Sequence, residues 1–317
     1  MNCQFSLITL LACLFAFNCK GQVTETSTKE SMTKQTLAKA YSFDPDSLLH
    51  HVKTLSSDAF EGRRTGTKGA KKAKKYIINQ FKFLGVDPLF DSYEQDFSFK
   101  GREKTYEGTN VLGLVKGSGN TDEYIIITAH YDHEGIKNGK IYNGADDDTS
   151  GISALFAFAE HFSKHPPKHN VLLVAFDGEE LGLKGAYHFV ESGILPAEKM
   201  KLNLNMDMIS RSDEKKLFVV GTRYNEQFIP IIEGFKNKEA VNLLVGHDGT
   251  DGKDNWTFSS DHAAFHKAKI PFLYFGVPDH EDYHKPTDDF ENIHPEFYKD
   301  TVQTIIDIFE KLDAMQL

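Results

Sequence analysis

EYIIITAHYD, residues 123–132, decides the fold when it is read together with the helix and strand patterns on its C-terminal side. Its apolar stretch is short, continuous and rich in β-branched residues, the pattern of a strand buried on both faces. A helical stretch comes next, from Gly151 to Lys164, and then a second run of the same kind, NVLLVAFDG at 170–178. Working outward, NVLGLVKG (110–117), LNLNMDMIS (202–210), LFVVG (217–221) and IPFLYFG (270–276) read as further strands. Helices are expected over Leu183 to Ser192, Asn225 to Lys238 and Pro295 to Met315. Upstream, Asp44 reads as an N-cap and Pro45 as the first position of a helix running to about Ser56. Ala70, Ala73, Tyr76, Ile77, Phe81 and Leu84 then share one helix face, with Gly85 as its stop. Strands alternating with helices predict one α/β domain over 43–317: a mixed, mostly parallel β-sheet flanked by helices on both faces. The long polar stretch GHDGTDGKDNWTFSSDH, 246–262, is expected to form a lid or rim over a site.

The chain has 317 residues and a formal charge of −10, with no basic block. That balance argues against nucleic acid or an anionic membrane surface as the main partner. Residues 5–17, FSLITLLACLFAF, form an apolar run too short to span a bilayer comfortably and read as the core of an export signal, although no Lys or Arg precedes them. All three cysteines, Cys3, Cys13 and Cys19, lie in or at the end of this segment, so disulfides do not hold the body together. Cys19 ends the apolar run before Lys20 and Gly21, which resembles a lipoprotein signal; ordinary cleavage near Gly21 or Gln22, or an uncleaved anchor, are the alternatives. The expected layout is a signal over 1–19, a Ser/Thr/Lys/Glu-rich flexible tether over 20–42, and an exported domain, in the periplasm, at the outer membrane as a lipoprotein, or secreted.

Ligands of open α/β sheets gather at the C-terminal ends of strands. The acidic and histidine clusters lie there: His130-Tyr131-Asp132, Asp177-Gly178-Glu179-Glu180, and Asp207 within NMDMI. In His130-Tyr131-Asp132 the outer pair face one side of an extended chain, so Asp132 is placed to orient a metal-binding imidazole. Asp146, Asp147 and Asp148 repel one another unless cations gather them; an acidic helix cap is the ordinary alternative. Glu179 and Glu180 cannot both point one way, so one can face a metal and the other a substrate. Asp207 in an apolar strand is costly to bury unless paired or metal-bound. His284 comes after a strand and loop in DYHKPTDD.

The ordered set AHYDH, GADDDTSG, DGEELGLKGA, NMDMI and YHKPTDD resembles metallopeptidase family 28, the co-catalytic dizinc aminopeptidases and their glutamate carboxypeptidase relatives. The resemblance covers about residues 45–312, with EGRRTGTKGAKKAKKYI resembling the family's first helix. It implies two zinc ions per chain, one held by His130 and Asp207 and the other by Glu180 and His284, with Asp147 bridging and the Asp147–Asp148 peptide cis. It implies that Glu179 is the general base and that Tyr283 hydrogen-bonds the developing oxyanion. The same likeness implies peptide substrates. His133, His188, His247, His262 and His280 match none of the ligand positions, and Ser259-Ser260-Asp261-His262 is expected to be scaffold.

Three functions compete. An aminopeptidase, or a carboxypeptidase of the same family, needs two zinc ions. A glutaminyl cyclase-like acyltransferase uses one; FDGEE suits it, whereas GADDDTSG and Tyr283 do not. A metal-free binding protein holds none, and the retained acidic and histidine set argues against it.

Overall fold

In a computed structural model of the chain, the described residues are 39–102, 104–119, 121–236 and 238–317. The expected signal over 1–19, Cys19 as lipid acceptor, and all but the last residues of the 20–42 tether lie outside them. Residues Ala40–Leu317 form one compact unit. At its start Tyr41 donates to Asp300, Ser42 donates to Gln303, and Phe43 is buried.

The strands are β1 (Asp87–Pro88), β2 (Glu94–Lys100), β3 (Thr105–Val115), β4 (Tyr124–His130), β5 (Gly135–Lys137), β6 (Lys140–Tyr142), β7 (Asn170–Phe176), β8 (Met200–Met206), β9 (Lys216–Val220), β10 (Asn242–Val245) and β11 (Phe272–Gly276). The α-helices are α1 (Pro45–Leu55), α2 (Lys68–Phe83), α3 (Thr149–Lys164), α4 (Lys184–Glu191), α5 (Ile229–Glu233), α6 (His262–Lys267) and α7 (Pro295–Asp313). Among the described residues nine strands form one sheet, ordered β1-β3-β7-β4-β8-β11-β9-β10 with β2 on β3, and β5 pairs with β6 separately. The central pairs β7–β4, β4–β8 and β8–β11 are parallel, whereas β3–β7 and β11–β9 are antiparallel.

Successive residues of a strand point to opposite faces, and here both faces are covered. Ile125, Ile127 and Ala129 of β4 enter one core with side chains of α1, α2, α3 and α7, while Ile126 enters the other with Phe189 of α4 and Phe265 of α6. Strand β7 divides likewise, with Val171, Leu173 and Ala175 against Leu172, Val174 and Phe176. This two-sided burial is why both runs are continuously apolar. The expected caps are present: the Asp44 carboxylate accepts from the Asp46 and Ser47 amides, and Gly85 ends α2 with φ +72°. Fully burying Ile77 and Phe81 of α2 contributes about 1.5–3 kcal/mol each.

One expectation is corrected. The helix predicted from Asn225 to Lys238 is only a 3₁₀ turn, Glu226–Phe228, followed by α5. Pro230 lacks the N–H that a helix starting at 225 needs there, and it sits instead in the first turn of α5. Strands β1, β2, β5, β6 and β10 and helix α6 were not anticipated. Stretch 246–261 has no regular element; it is closed on itself by the Trp256 amide donating to His247 (2.7 Å) and by His247 stacking on Trp256 at 3.6 Å.

Candidate metal centre

Parallel pairing sets the site's register. His130 at the end of β4 pairs with Phe176 at the end of β7, and Thr128 pairs with Asn205 of β8. The residues leaving all three strands therefore emerge side by side: His130, then Asp177 to Glu180, then Asp207. The Asp207 amide donates to the Phe275 carbonyl (3.2 Å), which fixes β11 and its following loop beside them.

His130 is buried. Its Nδ1 lies 3.0 Å from the backbone carbonyl of Asp132, so the ring must carry its proton there. That leaves Nε2 facing Asp147 Oδ1 (3.1 Å) and Asp207 Oδ1 (3.5 Å). The second half of the site is built by His284 Nε2, 3.2 Å from Glu180 Oε2 and 3.3 Å from Asp147 Oδ2. The two oxygens of Asp147 thus face the two groups separately. All five residues predicted as ligands converge, with Asp147 in the middle.

The three aspartates have different tasks. Asp146 Oδ1 accepts from the amide and hydroxyl of Ser210, and its Oδ2 meets His280 Nε2 at 3.1 Å. Asp148 caps α3 by accepting from Gly151 N (2.8 Å), and it also accepts from the amides of His130 and Met208. Asp148 lies near His130 and Asp207, yet both of its oxygens are committed to backbone amides, which disfavours it as a ligand. The Asp147 amide is held by Asp288 Oδ2 (3.1 Å), leaving the Asp147 carboxylate for the centre. The Asp147–Asp148 peptide is cis.

Asp132 does something other than expected. Its carboxylate is 3.8 Å from His130 Nδ1; its Oδ1 instead accepts from the Glu179 amide (3.0 Å) and its Oδ2 from the Thr65 hydroxyl (3.1 Å). A carboxylate carries two acceptors, and here they fix the turn that presents Glu179, while the Asp132 carbonyl orients the imidazole. Within that turn the Gly182 and Leu183 amides donate to the Glu179 carbonyl. Burial holds the Glu179 carboxyl well above the usual range; Asp207, Asp261 and Glu180 push the same way and His130 opposes them.

Electrostatics favour a cation here. Burial alone lowers the imidazole of His130, but Asp207, Glu179 and Asp147 carry it well above its ordinary value. For His284 burial is likewise outweighed by Asp147 and Glu180, which raise it to about 10. A set of nitrogen and carboxylate donors this rich in negative charge fits a dication such as zinc. His133, Asp147 and Glu180 also offer donor atoms within 4.8 Å of one another.

His133 is one residue that sequence reasoning set aside. It is fully buried, its Nδ1 lies 2.9 Å from Glu180 Oε1 and 3.6 Å from Asp147 Oδ2, and neither ring nitrogen has a well-directed hydrogen bond. Its position three residues after His130 in AHYDH was the available signal. Arg63, also missed, is fully buried and donates to the carbonyls of Tyr131 (2.8 Å), Leu55 (2.9 Å), Gly144 (2.9 Å) and Asn143. It ties the end of α1, the end of β4 and the loop before Asp147 together. The remaining histidines act elsewhere: His247 stacks on Trp256, His188 on Phe97, and the buried His262 on Tyr274 with its Nε2 at the Trp256 carbonyl (2.9 Å).

A cavity of about 350 Å³ opens on the centre. Besides the ligand residues it is lined by Glu179, Tyr274 and Tyr283, and by Asp254, Asn255, Trp256 and Ser259 of the 246–261 stretch, which is therefore a rim. Asp279 joins them, so the lining has six carboxylates and, among the described residues, no Lys or Arg. Tyr283 stacks on His284 at 3.9 Å. The left-handed backbones of Leu183, Met208 and His284 all adjoin site residues, where such strain collects.

A model of Peptidase family M28 matches residues 110–309. Aminopeptidase YwaD from Bacillus subtilis is 29% identical over 202 residues, covering 59% of this chain and 41% of that protein. The chain thus spans under half the length of the curated relatives it matches, the next being a probable zinc metalloprotease of Pyrenophora tritici-repentis at 30% identity and 30% of its length. Among solved structures, a zinc aminopeptidase from Bacillus subtilis superposes with a TM-score of 0.66 over 84% of this chain and 96% of that one, at 18% identity. Porphyromonas gingivalis glutaminyl cyclase superposes with a TM-score of 0.72 over 86% and 100%, at 16% identity. These two likenesses establish the fold and do not separate the two chemistries.

Proposed function

The chain belongs to peptidase family M28, and we propose that it is an exported, zinc-dependent aminopeptidase that hydrolyses the first peptide bond of substrates with a free N-terminus. The observation that carries this reading is the Asp147 carboxylate, with one oxygen facing His130 and the other facing His284. His130, Asp147 and Asp207 would hold one zinc ion, and Asp147, Glu180 and His284 would hold a second. Zinc bound there supplies Lewis acidity, polarising the scissile carbonyl and lowering the pKa of the attacking water.

The chain's own residues do the rest. Glu179, held through its amide by Asp132, takes the water's proton and returns it to the leaving amine. Tyr283, beside His284 on the cavity wall, is proposed to donate to the developing oxyanion.

Charge favours the N-terminus of the substrate over its C-terminus. Even with two dications bound, six carboxylates leave a net negative lining. Such a lining attracts an ammonium group and repels a terminal carboxylate. Export rests on the apolar run at 5–17; among the described residues no helix is long and apolar enough to cross a membrane.

The test is a panel of aminoacyl-nitroanilides and N-blocked peptides, run with and without chelator, together with zinc content. Cleavage of free but not blocked substrates, lost with chelator and accompanied by two zinc ions per chain, is expected. Cleavage of blocked peptides alone defeats the aminopeptidase reading. Cyclisation of N-terminal glutamine with one zinc makes the protein a cyclase.

A further inference from the structure

A second groove, of about 810 Å³, adjoins the metal centre and has the opposite charge. Glu180 lines both this groove and the acidic cavity, so the two meet at the metal centre. The groove lies between the β2–β3 hairpin and the turn that carries Glu180. Its walls hold Arg64, Lys100, Arg102 and Lys184. Arg64 is paired with Glu134 at 3.0 Å. The side-chain cations of Lys100, Arg102 and Lys184 have no carboxylate partner among the described residues. Lys184 lies over the Phe99 ring, 5.9 Å from its centroid, and Phe99 stacks on Tyr106 at 5.4 Å. Three unneutralised cations on an aromatic floor stand out in a chain of charge −10.

We propose that this groove binds a carboxylate of the substrate on the leaving side of the scissile bond. The inference rests on the aminopeptidase reading. An N-terminal ammonium drawn into the acidic cavity leaves the rest of the peptide to continue past Glu180, and the cationic groove is the continuation. Each extended residue advances about 3.3 Å, so a groove this size takes the next two or three residues. The carboxylate comes either from the free C-terminus of a short peptide or from an acidic side chain in those positions. The aromatic floor gives the peptide an apolar surface, and the cations of Lys100, Arg102 and Lys184 set the charge preference.

The experiment compares kcat/KM for four substrates: leucyl-nitroanilide, Leu-Gly-Gly, Leu-Gly-Gly-amide and Leu-Asp-Gly-amide. Each is run with the wild-type zinc enzyme, a Lys100→Gln/Arg102→Gln double variant and Lys184→Gln. Partly exposed charge pairs predict about a two- to fivefold preference for at least one carboxylate peptide over Leu-Gly-Gly-amide at low salt. The preference should shrink at high salt and fall toward one in the variants, with leucyl-nitroanilide turnover unchanged. If only Leu-Gly-Gly gains, the chain end is the source; if Leu-Asp-Gly-amide gains, side chains serve. Wild-type turnover of leucyl-nitroanilide with all three peptides equal overturns this inference and leaves the aminopeptidase reading standing. A preference that survives in both variants also overturns it. Failure to cleave any of the four defeats the aminopeptidase reading, and this inference with it.

Discussion

Replacing Arg63 by Met keeps the length and apolar stem of the side chain and removes every donor. Four carbonyls on three segments, those of Leu55, Tyr131, Asn143 and Gly144, then lose a charged partner inside the fold. A stranded buried acceptor costs about 1–3 kcal/mol. The four costs do not simply add, because the loop before Asp147 can relax. Burial also pulls the guanidinium down to about 10, against the pull of Asp147, Asp288, Asp132 and Asp148, so Met escapes a desolvation cost that Arg63 carries. The net loss should therefore match other broken buried ion sites, about 3–5 kcal/mol. At this chain length that corresponds to a fall in Tm of about 5–9 °C. Arg63→Lys retains the charge, but one ammonium cannot span three segments, so it should recover only part of the loss. Urea unfolding followed by circular dichroism, on metal-free and zinc-loaded protein, reads both variants. Zinc affinity, measured by competition with a chromogenic chelator, should fall as well, because Arg63 holds Asn143 and Gly144 just upstream of Asp147. A Met variant within about 1 kcal/mol of wild type, or a Lys variant equal to wild type, would refute the idea that the guanidinium fork organises this loop.

Three further outcomes are expected. Glu179→Gln should bind zinc as the wild type does and lose about 10²–10⁴-fold in kcat; near-normal turnover removes Glu179 as the base. Chelation should lower Tm by about 10 °C, since zinc stabilises only the folded state and buried like charges lose their counterion; an unchanged Tm would mean that no structural dication is held. Burial, aided by His50 and opposed by Asp44, pulls the His51 imidazole from 6.5 to about 4. The folded state therefore resists a proton that the unfolded state accepts, so stability is intact above pH 6.5 and lost as pH falls toward 4, by about 2–3 kcal/mol. His51→Leu should flatten that part of the acid limb in a Tm-against-pH series, and a parallel limb would assign the acid lability to other groups.

Most of the fold was legible because both sheet faces are buried. That burial makes β4, β7 and β11 nearly continuous apolar runs that stand out from the helices between them, whereas β8 alternates Leu202 and Leu204 with the buried Asn203 and Asn205. Strand β2 escaped notice: it lies off the main sheet path, paired only with β3, and alternates polar residues with Phe97 and Phe99. The stretch 225–238 misled because a helical period continues past Pro230, whose missing N–H is a fact of backbone geometry rather than of hydropathy. Within the site, strand-end placement marked His130, Glu180 and Asp207 as candidates, and the family resemblance supplied Asp147 and His284 and the ligand roles; the fold gathers all five. Neither hydropathy nor spacing marked Arg63, because its partners are carbonyls from three distant segments.

The sequence by itself determined which residue types stand at the strand ends and in what order, since these are properties of local pattern. Only the tertiary structure decided how they divide the work. Parallel register brings His130 and Asp207 together across 77 positions. Hydrogen bonds to distant amides, not spacing, commit Asp146 and Asp148 to the scaffold and leave the Asp147 carboxylate free. The same folding turned the Asp132 carboxylate toward Glu179 instead of His130, and put an acidic cavity and a cationic groove on either side of Glu180. Charge at a site is a sum over neighbours in space, and a linear chain does not list those neighbours.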